Sequence, residues 1–576
     1  MRYGRPYVRP VRPRARRPPV DRPRPGPGSC AAEIPRCSVQ LRRMSRRDMS
    51  RQFDRRAFLR RGAVGAAALA AGSGLLAACS ADEPRSGRAA GAGAPPRSGG
   101  TLRAAFVGGG ASESLDFFNS PSALDLVRAR AWHGTLGDLD PDGADGVRYG
   151  VLKGIDISDD LSAYTLHVRP GVRFTDGSEL TSADILHSLT ALAARSTLPV
   201  YRLAAADFDL ARARADGDLK VVLPTRRPVA DGRMILCQGN FLVVKNGTKV
   251  FREGMPSCGP FRLTGFTAGQ GSAFERYDDH YGHVPHLDGL ELRSIADSTA
   301  RAGALTSGEI DFAHDLSPVT ARTLDDNGKV ELVPTKSPYL VGLSFQMNMS
   351  AEPFDDPRVR EAFKLAVDRQ AIVRTVFHGS AQVGNDLPAI GFPDYAEGLP
   401  QRAHDPERAR ALLKEAGAEG MKVTLTTGPE TPGMVETAAL FVEDLKKAGV
   451  RALVRELPAG QLYADFPAYA ALPLAGSYQM PVPALSAYQM STAGGSPSAF
   501  GWKDPATDAL VAGARAESDS REAKKLGTRA QRTRWEGGNQ VLPVFKPNLN
   551  AQAKGVTGIP DDLFEQFPGF SRASLA

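Results

Sequence analysis

From Thr101 onward, strand-like and helix-like segments alternate along the whole chain, and that alternation points to an α/β fold. Thr101-Leu-Arg-Ala-Ala-Phe-Val107 alternates as a strand does and ends in Gly108-Gly-Gly110. Tyr164-Thr-Leu-His-Val168 is a second strand, stopped by Pro170-Gly171. Leu180-Thr181-Ser-Ala-Asp184 opens a helix, with Thr181 as N-cap and Asp184 standing where a capping box has Glu. Asp356-Pro357 starts another, which the pattern extends from Arg358 to Phe377. Asp405-Pro406 starts a third, through Ala416 and closed by Gly417. Thr437 to Lys447 is a fourth, stopped by Gly449. No internal repeat is present, and residues 101–576 hold no run long and apolar enough to span a membrane.

The net charge of +8 misrepresents this body. Residues 1–78 hold 19 Lys+Arg against 4 Asp+Glu, a net +15, whereas residues 79–576 carry a net −7. Without the first segment the protein is mildly acidic, and the charge argument for nucleic acid disappears. Asp54-Arg55-Arg56-Ala57-Phe58-Leu59-Arg60-Arg61 is a positive patch, and Gly62 to Ala78 is an uncharged run of small and apolar residues. Together they read as a signal peptide over residues 49–78. Residues 1–48 are Arg- and Pro-rich and fit either a basic disordered arm or a start codon placed too early. Leu76-Ala77-Ala78-Cys79 resembles the bacterial lipobox, which implies lipidation of Cys79. The Arg pair with Phe-Leu resembles a twin-arginine export signal, although Asp54 stands where Ser or Thr is usual, so general secretion stays open. Gly, Ala, Ser and Pro dominate Ser80 to Gly100, so 79–100 is a lipidated Cys followed by a flexible tether. Two acyl chains would hold the protein stably on the outer membrane face, outside the cytoplasm.

Two cysteines remain in the body, Cys237 and Cys258, and an oxidising compartment favours a disulfide between them over two separate buried thiols. His280, His283 and His286 lie close enough to ligate a metal, but Pro285 breaks any common helical face, so they form a weak candidate set. No nucleophile elbow, Walker loop, HExxH or CxxC occurs, so nothing asks for an enzyme or a cofactor.

Four blocks now share one likeness. They are Tyr164-Thr-Leu-His-Val-Arg-Pro-Gly-Val-Arg-Phe-Thr-Asp-Gly-Ser-Glu-Leu-Thr-Ser-Ala-Asp184, Cys258-Gly-Pro-Phe-Arg-Leu263, Phe345-Gln-Met-Asn348 with Pro353-Phe-Asp-Asp-Pro-Arg-Val-Arg-Glu-Ala-Phe363 and Ala366-Val-Asp-Arg-Gln370, and His404-Asp-Pro-Glu-Arg-Ala-Arg-Ala-Leu-Leu-Lys-Glu-Ala-Gly417. In this order they resemble the extracellular solute-binding protein family 5, the peptide- and nickel-type receptors of ABC importers. The resemblance implies a two-lobed periplasmic-binding-protein type II fold of class α/β, with ligand enclosed between the lobes. Lobe I would be 101–340 with an extra subdomain at about 139–245, lobe II 341–540, and 541–576 a return to lobe I. Ser344 to Met349 and Leu542 to Pro547 would be the two hinge crossovers. It further implies a small solute, an oligopeptide first, a permease and an ATPase as partners, and a monomer. A sensor without transport, or a hydrolase on the same scaffold, are the rival roles.

By the same resemblance the ligand loop late in lobe II falls on Ala475 to Met490, with Tyr478, Gln479, Met480, Ser486 and Tyr488 as candidate contacts. From Phe466 to Trp502 there is no Asp or Glu, although the family's peptide receptors usually anchor the peptide amine on an acid there. A desolvated amine needs a paired carboxylate. The acid would then come from the first loop, where Asp116 precedes Phe117, Phe118 and Asn119, or from Asp125; otherwise the ligand is neutral, blocked or a sugar. The aromatics suit core and pocket equally. Asn348 is a further candidate, better suited to bonding backbone at a hinge.

Overall fold

The computed structural model describes residues 96–576, apart from 119–121, 141–142, 144–145, 196–203, 239–240, 490, 493–499 and 561–568. The expected leader, the lipidation residue Cys79 and the site candidate Asn119 therefore lie outside the described residues.

Two sheets organise the molecule. The first has seven strands, in the order Phe261–Thr267, Gly271–Arg276, Gly289–Ser294, Thr101–Phe106, Phe312–Ala313, Ala551–Ala553, Val330–Leu332. Thr101–Phe106 runs parallel to both Gly289–Ser294 and Phe312–Ala313, so the carboxyl ends of these three strands share one edge. The second has six strands, in the order Gln382–Val383, Gln540–Lys546, Val341–Met347, Leu474–Gln479, Lys422–Thr427, Arg451–Glu456. Lys422–Thr427, Arg451–Glu456 and Leu474–Gln479 are parallel, and Val341–Met347 opposes both of its neighbours. The two bodies thus form a two-lobed α/β fold, and the tail strand Ala551–Ala553 returns to the first sheet after the chain leaves the second.

Local chemistry explains the helices. Asp356 caps Pro357–Ala366 and Asp405 caps Pro406–Glu415, each with Pro at the first turn, where its missing N–H costs nothing. The single helix expected from Arg358 to Phe377 is two. Val367 turns extended, and Asp368 caps a new helix, Arg369–Thr375, by accepting from the Ala371 N–H. A side-chain cap in mid-run outcompetes the continuing apolar pattern. At Thr181 only half the capping box forms: Asp184 reaches back to the Thr181 N–H at 2.7 Å.

An insertion in lobe I carries its own four-stranded sheet, Leu152–Ile157, Ala163–Val168, Lys220–Pro224 and Arg214–Ala215, with helix Ser182–Arg195 beside it. Pairing of Gly134–Thr135 with Leu242–Val243 closes its base. The strands expected as hinge crossovers are not crossovers: Val341–Met347 and Gln540–Lys546 lie inside the second sheet, hydrogen-bonded to each other. The chain crosses on either side of them, where Asn548 and Thr335 bond through backbone and hydroxyl. The expected disulfide is absent too. Cys237 and Cys258 are separate buried thiols, and the Cys258 Sγ lies 4.0 Å from the Val243 carbonyl. No helix among the described residues is long and apolar enough to cross a membrane.

Candidate functional site

In open α/β sheets a ligand binds beyond the carboxyl ends of parallel strands, where the backbone leaves a crevice. In lobe I those ends are Phe106, Ser294 and Ala313; in lobe II they are Thr427, Glu456 and Gln479. Register places Lys546 at the same lobe II edge, because Lys546 pairs with Val341 and Gln479 with Gly342. Lys546 Nζ donates to both oxygens of Asp315, at 2.8 and 2.7 Å, and Asp315 lies two residues past the lobe I strand end Ala313. The carboxyl edges of the two sheets therefore meet at the crossover, and the candidate site lies between them.

Leu474–Gln479 leads the chain into this space. Tyr478 is half-buried, 5.7 Å ring to ring from Tyr463, whose hydroxyl receives the Tyr478 N–H at 3.4 Å. Burial, and after it the charge of Glu430, push the Tyr478 hydroxyl up to about 12. Gln479 follows, with a side-chain oxygen that is buried and has no hydrogen-bond partner. Met480 then packs against the lobe I cluster that contains Phe106 and Leu124, so the strand exit touches both lobes. On the lobe I side His314 stacks on Phe106 at 4.9 Å, and its Nε2 is likewise buried without a partner. Burial pushes that imidazole down to about 4, so it is neutral and offers either an acceptor or an N–H. An unmatched amide oxygen and an unmatched imidazole nitrogen on facing strand edges suit a solute with hydrogen-bonding groups at both ends.

The other sequence candidates are placed elsewhere or already engaged. Phe117 and Phe118 are fully buried in the core of the insertion, edge to face with Phe251. Ser486 and Tyr488 are buried on helix Ala484–Gln489, where Arg534 lies over the Tyr488 ring at 5.5 Å. Asn348 sits at the opposite edge of the lobe II sheet from Gln479, beside the Leu474 end; its amide donates to the Ala470 carbonyl and its oxygen receives the Ser350 N–H. Asp116 is ion-paired with Arg195, and Asp125 is buried, completes the capping box of Ser122 on helix Ala123–Trp132 and pairs with Arg128. Neither acid is left for a ligand amine. Glu430 is the acid that sequence reasoning missed. It reaches the neighbourhood of Tyr478 but spends its oxygens on the Gly460 and Leu462 N–H groups, and burial raises its pKa. The His280 Nδ1–H donates to the His283 carbonyl at 3.0 Å, and no group of three potential ligands fit for a metal occurs among the described residues. His314, Lys546 and Asp315 carried no local signal; only the return of the tail to lobe I brings the last two together.

Two α/β lobes that face each other by their strand ends across a double crossover define a solute-binding protein of the hinged, two-lobed class. The chain matches the model for bacterial extracellular solute-binding proteins, family 5, over residues 146–497, and it belongs to that family. It is 27% identical over 364 residues to the glutathione-binding protein GsiB of Salmonella paratyphi A, covering 61% of this chain and 69% of that one. Its identity to GsiB of Pectobacterium atrosepticum is 26% over 480 residues, or 78% and 90% of the two chains. Among solved structures, DppA from Helicobacter pylori in complex with the peptide STSA superposes with a TM-score of 0.72 at 19% identity, covering 83% of this chain and 98% of that one. The PBP AgaA from A. tumefaciens R10 in complex with agropinic acid gives 0.71 at 22%, covering 83% and 99%. At such identities the likeness establishes the fold.

Proposed function

We propose that this chain is the extracytoplasmic receptor lipoprotein of an ABC importer, anchored through Cys79, which encloses a peptide-like or other polar solute between its lobes and hands it to a permease. The observation that carries the reading is the exit of strand Leu474–Gln479, where Tyr478, the unpartnered Gln479 oxygen and the lobe-bridging Met480 follow one another at the facing edges. Relatives named for glutathione and a neighbour solved with a tetrapeptide support a peptide-like solute. Asp116, Asp125 and Glu430 are all engaged, which favours a solute recognised through its amide groups over one anchored by a free amine. The family is one of solute-binding proteins, and no nucleophile–base pair occurs among the described residues of the site, so capture without turnover is the reading. The test is native mass spectrometry of the protein gently purified from its own host. A ladder of co-purified peptide masses is expected. A single non-peptide mass would overturn the peptide assignment and keep the receptor, and no bound mass across growth conditions would overturn solute capture.

A further inference from the structure

The insertion belongs to lobe I by connectivity, since the chain enters it after helix Ala123–Trp132 and leaves it before strand Phe261–Thr267. Its core nevertheless continues into lobe II: Phe208 and Ile235 of the insertion share one buried cluster with Phe392, Ala484 and Val511. At this seam Arg515, the last residue of helix Pro505–Arg515, reaches out of lobe II with its side chain 2% exposed. Its Nη2 donates to Asp207 at 2.7 Å, and Nε and Nη2 donate to the two oxygens of Asp231 at 2.7 and 2.8 Å. Its carbonyl receives the Ala230 N–H at 2.6 Å. The receiving side is built in advance. Arg227 already bonds Asp207, and the Tyr164 hydroxyl receives the Gly232 N–H while donating to the Val229 carbonyl, which fixes the turn that carries Asp231. Gly232 is required there, because a Cβ would stand 2.7 Å from the Tyr164 ring.

We infer that Arg515 is an affinity-setting residue outside the ligand site: with Asp207 and Asp231 it latches the insertion of lobe I to lobe II when the lobes are closed. The inference rests on the reading that solute is enclosed by lobe closure. Every bond of the latch joins segments from different lobes, so hinge opening must break all of them. In the closed state a bidentate guanidinium–carboxylate pair is geometrically selective, and in the open state both partners recover water. Closure is thereby favoured only at the register in which Arg515 meets Asp231, and ligand affinity carries that contribution without any ligand contact.

The test is hydrogen–deuterium exchange on the ligand-free full chain, read over residues 225–236, with the radius of gyration from solution scattering alongside. Arg515→Ala and Asp231→Asn are expected to speed exchange there by about tenfold, one decade in the closed-to-open equilibrium, and to increase the radius. Arg515→Lys, which keeps the charge and loses the fork, should fall between. Equal exchange in wild type and all variants would overturn the latch. If Arg515→Ala does not fold, Asp231→Asn carries the test, because its carboxylate is the more exposed partner and the substitution keeps its shape. The outcome is read without ligand, so it stays separate from the co-purified masses that decide the proposed function.

Discussion

Among the described residues, two buried cations meet carboxylates of the other lobe, and they differ in what motion does to their pairs. Lys546–Asp315 lies on the crossover itself: Asn548, two residues on, is bonded to Thr335 of the other crossing segment, and Leu549 donates to Asp315. A pivot of the lobes about this point is expected to leave the pair intact. Arg515 meets Asp207 and Asp231 from positions 308 and 284 residues away in sequence, with no chain connection at the seam. The same chemistry is therefore an axle in one place and a catch in the other, because burial at the hinge persists and burial at the seam depends on closure.

Removing the axle should have the larger effect on stability. Lys546→Ala strands Asp315 in a site where it is 7% exposed. Breaking one side of a buried pair costs about 3–5 kcal/mol, which chemical denaturation would read as a lowered midpoint. Arg515→Ala should cost distinctly less in the same experiment, because opening lets Asp231 hydrate. Equal losses for the two would erase the distinction between axle and catch.

How much of this was legible in the sequence follows from how local each signal is. The Asp-Pro helix starts at 356–357 and 405–406 and the strand at 101–106 involve neighbours only, and they stand as expected. The break at Val367–Asp368 was concealed because the apolar pattern runs across it while one carboxylate caps the second helix. In the candidate site, Tyr478, Gln479 and Met480 were picked out only through the family resemblance, as part of a loop; the strand Leu474–Gln479 that carries the first two was not foreseen. Asn348 was read as better suited to bonding backbone, which it does, but only strand register shows that it lies at the far edge. The engagement of Asp125 by Arg128 is an i,i+3 contact and was open to sequence reasoning; that of Asp116 by Arg195, 79 residues away, was not. Lys546–Asp315 spans 231 residues and exists only once the tail has returned to lobe I.

Acid should weaken the hinge side and the insertion side alike. His314 beside the axle and His133 next to the paired strand at the base of the insertion are both buried, and burial pushes them down to about 4 and about 3 from 6.5. Both His133 ring nitrogens lack partners, and its ring packs 4.5 Å from Trp132. Each folded-state pKa lies below the unfolded one, so the unfolded chain takes up the proton first. The contribution is intact above about pH 6.5 and is lost as pH falls toward 4, where each site costs on the order of 3 kcal/mol. Thermal melts across this window should show a shallower pH slope for His133→Phe and for His314→Phe than for wild type. An unchanged slope in either variant would mean that its ring stays hydrated.

The smaller effects separate the two edges of the lobe II sheet. Tyr478→Ala removes a half-buried ring at the lobe-facing edge and should weaken binding of the co-purified solute by roughly tenfold, about 1.4 kcal/mol, with the melting temperature little changed. Unaltered affinity by calorimetry would take Tyr478 out of the site. Asn348→Ala works the other way. It deletes the amide bond to the Ala470 carbonyl at 3.2 Å and the acceptor for the Ser350 N–H at 3.0 Å. Net hydrogen-bond contributions put the expected stability loss at about 1 kcal/mol. Its affinity should match wild type, since six residue steps of register at about 3.3 Å each separate it from the Gln479 edge. A weakened affinity with wild-type stability would reverse this assignment and bring the far edge of the sheet into the binding site.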